Sequence, residues 1–367
     1  MLIIPKKTPP VETHWQKELA NSFTTLDSLL EYLRIDPSSL PPALSNDAFS
    51  NNNNINIIPT QNDISIIEQH NNARRLFPMR VPKPFADLMQ QSNWYDPLLQ
   101  QVVPQQAEFV DKLGFVADPL QEQNGTTAGL IHKYKSRVLL LVRGGCAINC
   151  RYCFRRHFPY QDNQLGQAQY QSVLEYINND TNINEVIFSG GDPLMANDKQ
   201  LAKLAQKVDN ITHIKRLRIH TRLPVVIPSR VNNELLAWLT NLRIKPIIVL
   251  HINHKNEIGE ALIEKTKMLK QAGVTLLNQS VLLKNINDSA EEICELSEAL
   301  FEANILPYYL HMFDPVKGAA HFDVSKPDAQ KIMAKVITRL PGFLVPKLVQ
   351  ELPRQPGKTP IDLGLEP

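Results

Sequence analysis

The 367-residue chain is poor in cysteine, nearly neutral and free of long apolar runs, and each shortage excludes something. No stretch reaches the roughly eighteen consecutive apolar residues that a membrane helix needs, so no membrane role is expected. The opening Met1-Leu-Ile-Ile-Pro-Lys-Lys lacks the charged start, apolar core and small-residue cleavage site of a secretory signal, which points to the cytoplasm. A formal net charge of +2 supplies no general electrostatic pull toward nucleic acid. Cysteine occurs four times, and three of the four fall close together as Cys146, Cys150 and Cys153. A disulfide framework would space them more widely in a small secreted domain, so the cluster points to a metal or redox site. Cys294 stands apart, on the apolar phase of a helix-like run with Leu296 and Leu300, and reads as a buried small hydrophobe.

What is present is an ordinary globular composition, 43% hydrophobic and 21% charged, long enough for one large domain with extensions. Residues 13–36 carry Leu26, Leu29, Leu30 and Leu33 at helical spacing. Residues 46–72, with four consecutive asparagines at 51–54, read as a surface insertion or a disordered loop. Pro78, Pro82, Pro84, Pro97 and Pro104 then suggest short helices and turns wrapping something larger, so 1–125 is expected to be a mainly helical extension.

From about residue 137 the texture changes to short β-branched runs alternating with longer amphipathic ones. Strands are expected at Val138–Val142, Glu185–Phe188, Arg216–Ile219, Pro246–Leu250, Val274–Asn278 and Leu306–Leu310. Helices are expected near 165–179, 198–208, 232–242, 257–272, 289–303 and 327–339. Parallel neighbours need crossover connections, so six such units imply a parallel sheet. Six fall short of a closed eight-fold barrel. The expected fold is therefore α/β: an open three-quarter (βα)6 parallel barrel over 126–340, followed by a short C-terminal segment, 341–367. In such sheets the chemistry gathers at the C-terminal strand ends.

The residues with chemical character lie at those ends. The first strand runs through Arg143-Gly-Gly into Cys146-Ala-Ile-Asn-Cys150-Arg-Tyr-Cys153. A Cys-x3-Cys-x2-Cys loop suits a [4Fe–4S] cluster with one iron left free of protein ligands. S-adenosylmethionine (SAM) can chelate that open iron through its amino and carboxylate groups. A zinc site completed by His157 remains the competing metal reading. The second strand ends in Ser189-Gly190-Gly191-Asp192, where consecutive glycines let a ligand approach the backbone and their amides can bind a polar group such as the SAM amine; any tight turn can use them too.

From about Leu130 to Leu363 the chain resembles the radical SAM superfamily, and within it the lysine 2,3-aminomutase family. The stretches that carry this are Cys150-Arg-Tyr-Cys-Phe-Arg-Arg-His-Phe, Phe188-Ser-Gly-Gly-Asp-Pro-Leu, Leu277-Asn-Gln-Ser-Val-Leu-Leu, Tyr308-Tyr-Leu-His-Met-Phe-Asp314 and Gly357-Lys-Thr-Pro360. Arg218-Ile-His-Thr-Arg-Leu-Pro224 and Gly318-Ala-Ala-His-Phe322 resemble the shorter bacterial members, which serve the lysylation of elongation factor P.

The resemblance implies roles that the residues alone leave open. Lys358 matches the lysine that carries pyridoxal 5′-phosphate (PLP); by itself it is a loop lysine of the kind usually solvated. Lys133, Tyr134 and Arg137 match positions around the PLP phosphate and ring. Arg155 matches the arginine of the substrate carboxylate, a task suited to a guanidinium that grips bidentately and keeps its charge. Asp314, otherwise a turn-initiating Asp-Pro, matches the aspartate at the distal ammonium of lysine. Gln279 and His251 match positions near SAM, although His251 and His254 also read as a metal pair or as ordinary strand-end histidines.

Two departures stand out. Glu351 replaces an aspartate of the clostridial enzymes, which moves a charge by one methylene. Ser289 stands where those enzymes have a tail-partnered cysteine, and the chain ends soon after Lys358, so their structural zinc and tail-mediated tetramer are not expected. The implied reaction is conversion of L-α-lysine to β-lysine. SAM is cleaved reductively with electrons from a flavodoxin- or ferredoxin-type protein, and the product passes to elongation factor P through its lysyl ligase. Two alternatives stay open: radical SAM chemistry without PLP, and a non-catalytic metal-cluster module.

Overall fold

The computed structural model describes residues 15–40, 66–123, 129–160, 167–353 and 355–364. Nine strands form one sheet in sequence order: β1 Leu130–Tyr134, β2 Arg137–Arg143, β3 Glu185–Gly190, β4 Arg216–Thr221, β5 Lys245–Leu250, β6 Thr275–Val281, β7 Leu306–His311, β8 Lys347–Gln350 and β9 Thr359–Pro360. Strands β2 to β8 pair in parallel, while β1 and β9 pair antiparallel at the two ends. The protein is thus an α/β fold on a mostly parallel sheet.

All six expected strands are present as β2–β7. The helices Gln167–Asn179, Asp198–Asp209, Asn233–Thr240, Glu260–Gln271, Ala290–Glu302 and Lys326–Val336 connect successive parallel neighbours. Four of them start where a short polar side chain takes an otherwise unpaired backbone N–H. The caps are Asn197 to Gln200 (2.9 Å), Asn232 to Leu235 (2.8 Å), Ser289 to Glu292 (3.2 Å) and Ser325 to Asp328 (3.3 Å).

Alternation along the strands decides what faces what. Val138, Leu140, Val186, Phe188, Leu217, Ile219, Ile248 and Leu250 point to the helices, where Val173, Ile177, Leu201, Leu235, Leu262 and Leu296 meet them in the main core. The intervening residues Leu139, Ile187, Ser189, Arg218, His220, Gln279, Tyr309 and His311 line a cavity on the other face. The sheet curls around that cavity. Lys133 and Tyr134 of β1 contact Glu351, just past β8, at 3.3 and 3.0 Å.

Four expectations need correction. Residues 15–36 form two helices, Trp15–Ala20 and Leu26–Tyr32, rather than one. Phe23 exchanges backbone hydrogen bonds with Val81 (2.8 and 2.9 Å), and Thr25 caps the second helix, so the chain cannot stay helical between them. Of the expected insertion at 46–72, residues 46–65 lie outside the described residues. Its last part, Ile66–Asn72, is a helix. The parallel set has seven strands, not six, because β8 joins beside β7. Lys133 and Tyr134 lie on a strand, in a hairpin with a two-residue turn at Lys135-Ser136.

The N-terminal segment shares one continuous apolar core with the sheet layer. Trp15, Leu26, Leu30, Phe85, Trp94, Leu98 and Val102 belong to the same cluster as Val138 and Phe188.

Candidate active site

The sixteen residues to which the sequence and the resemblance give a cluster, SAM, PLP or substrate role all line one cavity. It takes in Cys146, Cys150 and Cys153 from the β2 loop, Ser189, Gly190, Gly191 and Asp192 after β3, and His251 and Gln279 near the ends of β5 and β6. Lys133, Tyr134, Arg137, Arg155, Asp314, Glu351 and Lys358 complete the set.

The cysteine loop is shaped by what surrounds it. Asn149 N–H donates to the Arg80 carbonyl (3.1 Å), Arg151 N–H to that of Gln101 (2.8 Å), and the Arg80 guanidinium to the Cys146 carbonyl (3.1 Å). Burial and the neighbouring thiols push the Cys146 thiol well up, and burial with Cys150 pushes that of Cys153 to about 11. Among the described residues no three His, Cys, Asp or Glu side chains are grouped to share a single metal ion. The three thiols nevertheless open into one space, as a cluster requires, since each thiolate then binds a different iron. His157, the proposed fourth zinc ligand, is hydrogen-bonded to the Lys317 carbonyl (3.1 Å) and does not line the cavity. His254 caps a turn and pairs with Glu292 (2.7 Å), while His251 contacts Gln279 (3.0 Å), so the two do not form a metal pair. Cys294 is half-buried against a separate apolar cluster.

The paired glycines serve packing more than ligand approach. A Cβ on Gly190 would meet the Arg143 carbonyl oxygen at 2.2 Å, and one on Gly191 the oxygens of Gly145 and Gly144 at 2.7 and 2.8 Å. Gly190 also has φ +125°, in the region that favours glycine. The Gly191 amide is already used, donating to Arg143 (2.7 Å), and that of Asp192 donates to Gly145 (3.0 Å). The double glycine therefore lets the β3 turn lie against the cysteine loop. The Asp192 carboxylate accepts from Thr221 Oγ1 and from the amides of Leu194, Arg222 and Leu223, bracing the end of β4.

At the other end of the cavity the charges are paired. Arg155 donates through Nε to Glu122 (2.7 Å) and through Nη1 to Ser189 Oγ and the Gly190 carbonyl (3.2 Å each), and none of these bonds uses Nη2. Glu122 also binds Lys133 (2.8 Å). Burial opposes its charge, but Arg155 and Lys133 hold its carboxyl below the usual range. Lys358 lies 2.5 Å from Glu351, which also takes Lys133 and Tyr134. The register explains the first contact: Gln350 faces Thr359 across β8–β9, so the next pair outward is Glu351 and Lys358. Burial works against the Glu351 charge too, yet Lys358 and Lys133 hold it well below its ordinary range. Asp314 goes the other way. Burial and the nearby Glu351 push it up to about 7.

Several buried nitrogens facing this space have no partner among the described residues: His220 Nε2, His311 Nε2, Arg218 Nε and Arg222 Nε. Such groups are costly to bury unpaired, so their presence around one cavity suits polar ligands. Burial also pushes the imidazoles of His220 and His311 well below their ordinary range and that of His251 down to about 3.

Residues 135–222 match the family model described as a 4Fe-4S single cluster domain. The chain is 46% identical over 363 residues to an L-lysine 2,3-aminomutase of Escherichia coli (strain K12), covering 99% of this chain and 98% of that one. With the L-lysine 2,3-aminomutase of Haemophilus influenzae it shares 49% over 293 residues, 80% of this chain and 87% of the other. With that of Clostridium subterminale it shares 33% over 286 residues, 77% and 68% respectively. The chain belongs to the L-lysine 2,3-aminomutase family.

As a member of this family it is a radical SAM protein of the isomerase class. No helix among the described residues is long and apolar enough to cross a membrane. Other cavity residues of this aminomutase-family chain escaped the sequence-level reading, among them Glu122, Tyr160, His220, Arg222 and His311. Two carried a usable signal. His220 follows Arg218, and His311 follows Tyr309, at the two-residue spacing that puts both members of a strand pair on one face. Glu122 and Tyr160 lie in irregular segments, where no period announces direction.

Proposed function

We propose that the protein converts L-α-lysine to β-lysine in a cytoplasmic radical reaction, using a [4Fe–4S] cluster, SAM and PLP. Behind this proposal stands one observation. Lys358, returned by the β8–β9 hairpin, opens into the same cavity as Cys146, Cys150 and Cys153, with Arg155 and two carboxylates between them. The described fold supports an open partial barrel of six βα units, β2–β7, with β8 added beside it. The extension would end near 125 and the C-terminal segment begin near 341.

Bound together, the three cofactors supply the carbon radical and the conjugated nitrogen acceptor that a 1,2-shift of an amine requires. The chain's own residues do the positioning. Cys146, Cys150 and Cys153 hold the cluster, with Ser189, Gly190, His251 and Gln279 beside the SAM position. Gly191 and Asp192 contribute by shaping that wall. Lys358 anchors PLP, and Lys133, Tyr134 and Arg137 present two cations and a ring to its phosphate and pyridine. The Arg137 guanidinium lies 4.0 Å over the Tyr134 ring, which fixes both. Arg155 takes the substrate α-carboxylate through Nη2. Asp314 and Glu351 face the distal ammonium, which makes lysine a better fit than an uncharged side chain. The curled sheet and the apolar residues Leu139, Ile187 and Val281 keep water from the reacting carbons.

The proposal extends to the setting seen in the shorter bacterial members. An electron donor of flavodoxin or ferredoxin type would reduce the cluster, and the β-lysine would be used in modifying elongation factor P through its lysyl ligase. Borohydride reduction of the PLP-loaded protein, followed by peptide mapping, tests the central assignment. A reduced pyridoxyl group is expected on Lys358, and Lys358→Ala is expected to retain iron and SAM binding but yield no β-lysine from lysine under anaerobic, reducing conditions. Label on another lysine, or β-lysine from the Lys358→Ala protein, would overturn it.

A further inference from the structure

We propose that Arg222 is a positioning residue that sets the reduction potential of the cluster by hydrogen-bonding the sulfur of Cys150. This rests on the assignment of the three cysteines to the cluster. Arg222 follows the last residue of β4, and its placement is rigid. The Asp192 carboxylate accepts from the backbone amides of Arg222 (2.8 Å) and Leu223 (2.9 Å) and from Thr221 Oγ1 (2.7 Å). From there the guanidinium reaches the cysteine loop. Nη1 lies 2.7 Å from Cys150 Sγ and also contacts the Tyr152 hydroxyl. Nη2 donates to Gln101 Oε1 (2.8 Å) and Glu257 Oε2 (2.9 Å).

The arrangement is more than a core ion pair. Glu257 is fully buried and also receives Gln101 Nε2 and the amides of Asn253 and His254, so Arg222 is one of four donors to it. A pair serving stability alone would turn both nitrogens of the arginine to oxygen acceptors. Here one nitrogen meets a sulfur as well as the Tyr152 hydroxyl. Among the described residues this is the charged side chain that hydrogen-bonds a thiol of the loop. Arginine is suited to the task because it cannot lose its proton, so the donor is present in every state of the cluster. A hydrogen bond and a nearby positive charge favour the more negative, reduced cluster, and they act strongly where water is excluded. Arg222 therefore makes the electron easier to accept. Glu257, on its far side, offsets part of that effect.

The opposed signs make a test. Full-length protein, reconstituted with iron and sulfide, is titrated anaerobically against redox dyes while the reduced cluster is followed by electron paramagnetic resonance. The variants are Arg222→Lys, the charge-balanced pair Arg222→Met with Glu257→Gln, and Glu257→Gln alone. In the charge-balanced variant the ratio of reduced to oxidised cluster at a fixed potential is expected to fall about tenfold, which is ~59 mV for one electron. Arg222→Lys should fall between it and wild type, and Glu257→Gln alone should shift the ratio the opposite way. Equal potentials in all four proteins, at full iron content, overturn the inference and leave the cysteine assignment standing. Should the arginine variants fail to hold iron, Glu257→Gln decides, because an unchanged potential there refutes the role of the local charge. Wild type without a cluster would overturn both.

Discussion

Asp314 offers the sharpest test of lysine as the substrate, because its charge should change in the range where the enzyme works. Burial and the nearby carboxylate of Glu351 push it up to about 7, against the opposing pull of Lys358 and Lys133. Only the ionised carboxylate can pair with an ammonium. The apparent affinity for lysine must then scale with the ionised fraction, which is about one in eleven at about pH 6 and about ten in eleven at about pH 8. The sign follows from a raised carboxyl: affinity is present above about 7 and is lost as pH falls through that value. The expected loss between those two conditions is thus roughly tenfold, or about 1.4 kcal/mol. Titrating the visible band of the PLP-loaded protein with lysine, without SAM, measures the affinity free of turnover. The α-amino group of the substrate also titrates, so the straight-chain analogue lacking the distal amine serves as the control. The lysine-to-analogue affinity ratio should drop about tenfold on acidification, and Asp314→Asn should flatten it. A flat ratio in the wild type would refute the placement of the ammonium at Asp314.

Three further outcomes follow from the geometry. Cys146→Ala, Cys150→Ala and Cys153→Ala should each abolish the brown chromophore and SAM cleavage, whereas Cys294→Ala should leave both; iron analysis and the yield of 5′-deoxyadenosine check this. Gly191→Ala should distort the cysteine loop, because its Cβ would sit 2.7 to 2.9 Å from the Gly144–Gly145 backbone, and lower iron content with little change in helix content is the expected result. Glu108→Gln leaves Arg151 and Arg156 without their shared buried carboxylate, a loss on the order of 3–5 kcal/mol that denaturant unfolding would reveal. An unfolding midpoint equal to wild type would show that the triad carries no net stability.

The strand–helix alternation was legible because each run is long and periodic enough to identify itself, and all six expected strands pair as neighbours. The short elements were not. Strand β8 spans four residues and β9 two, and neither can show a period. Their existence depends on β7 and on each other, a tertiary fact. The cysteines drew attention by their spacing after a strand, whereas Lys358 and Arg155 stood out only through motif resemblance; a lysine in Pro356-Gly-Lys-Thr-Pro has no intrinsic reason to be buried. What remained invisible were the counter-ions. Glu122 gives no local sign that it will meet Arg155, thirty-three residues away, together with Lys133. For the paired glycines the sequence leaves open whether the close neighbour is a ligand or another loop, and the structure puts the Gly144–Gly145 backbone there.

The same distinction explains why a cysteine loop of eight residues needs the N-terminal segment at all. Inside the loop, Arg151 is fully buried, and its guanidinium is held by Glu108 (2.9 Å at Nε) and by the carbonyls of Phe77, Pro78 and Ala73. Arg156, just past the loop, shares Glu108 (2.6 Å) and donates to the Gly318 carbonyl (2.8 Å). Two guanidiniums, one on the loop and one just past it, thus share a single carboxylate from the extension, and backbone oxygens accept from their Nη1 groups. Buried charges tolerate little displacement, because a lost partner leaves an uncompensated ion. The loop is therefore fixed from two sides, by the glycine contact with β3 and by the extension through Arg151. Three thiols spaced by three and two residues are a chemical opportunity in any flexible peptide. In this chain those two clamps hold them open to one cavity, facing the residues that come from the far end of the sheet.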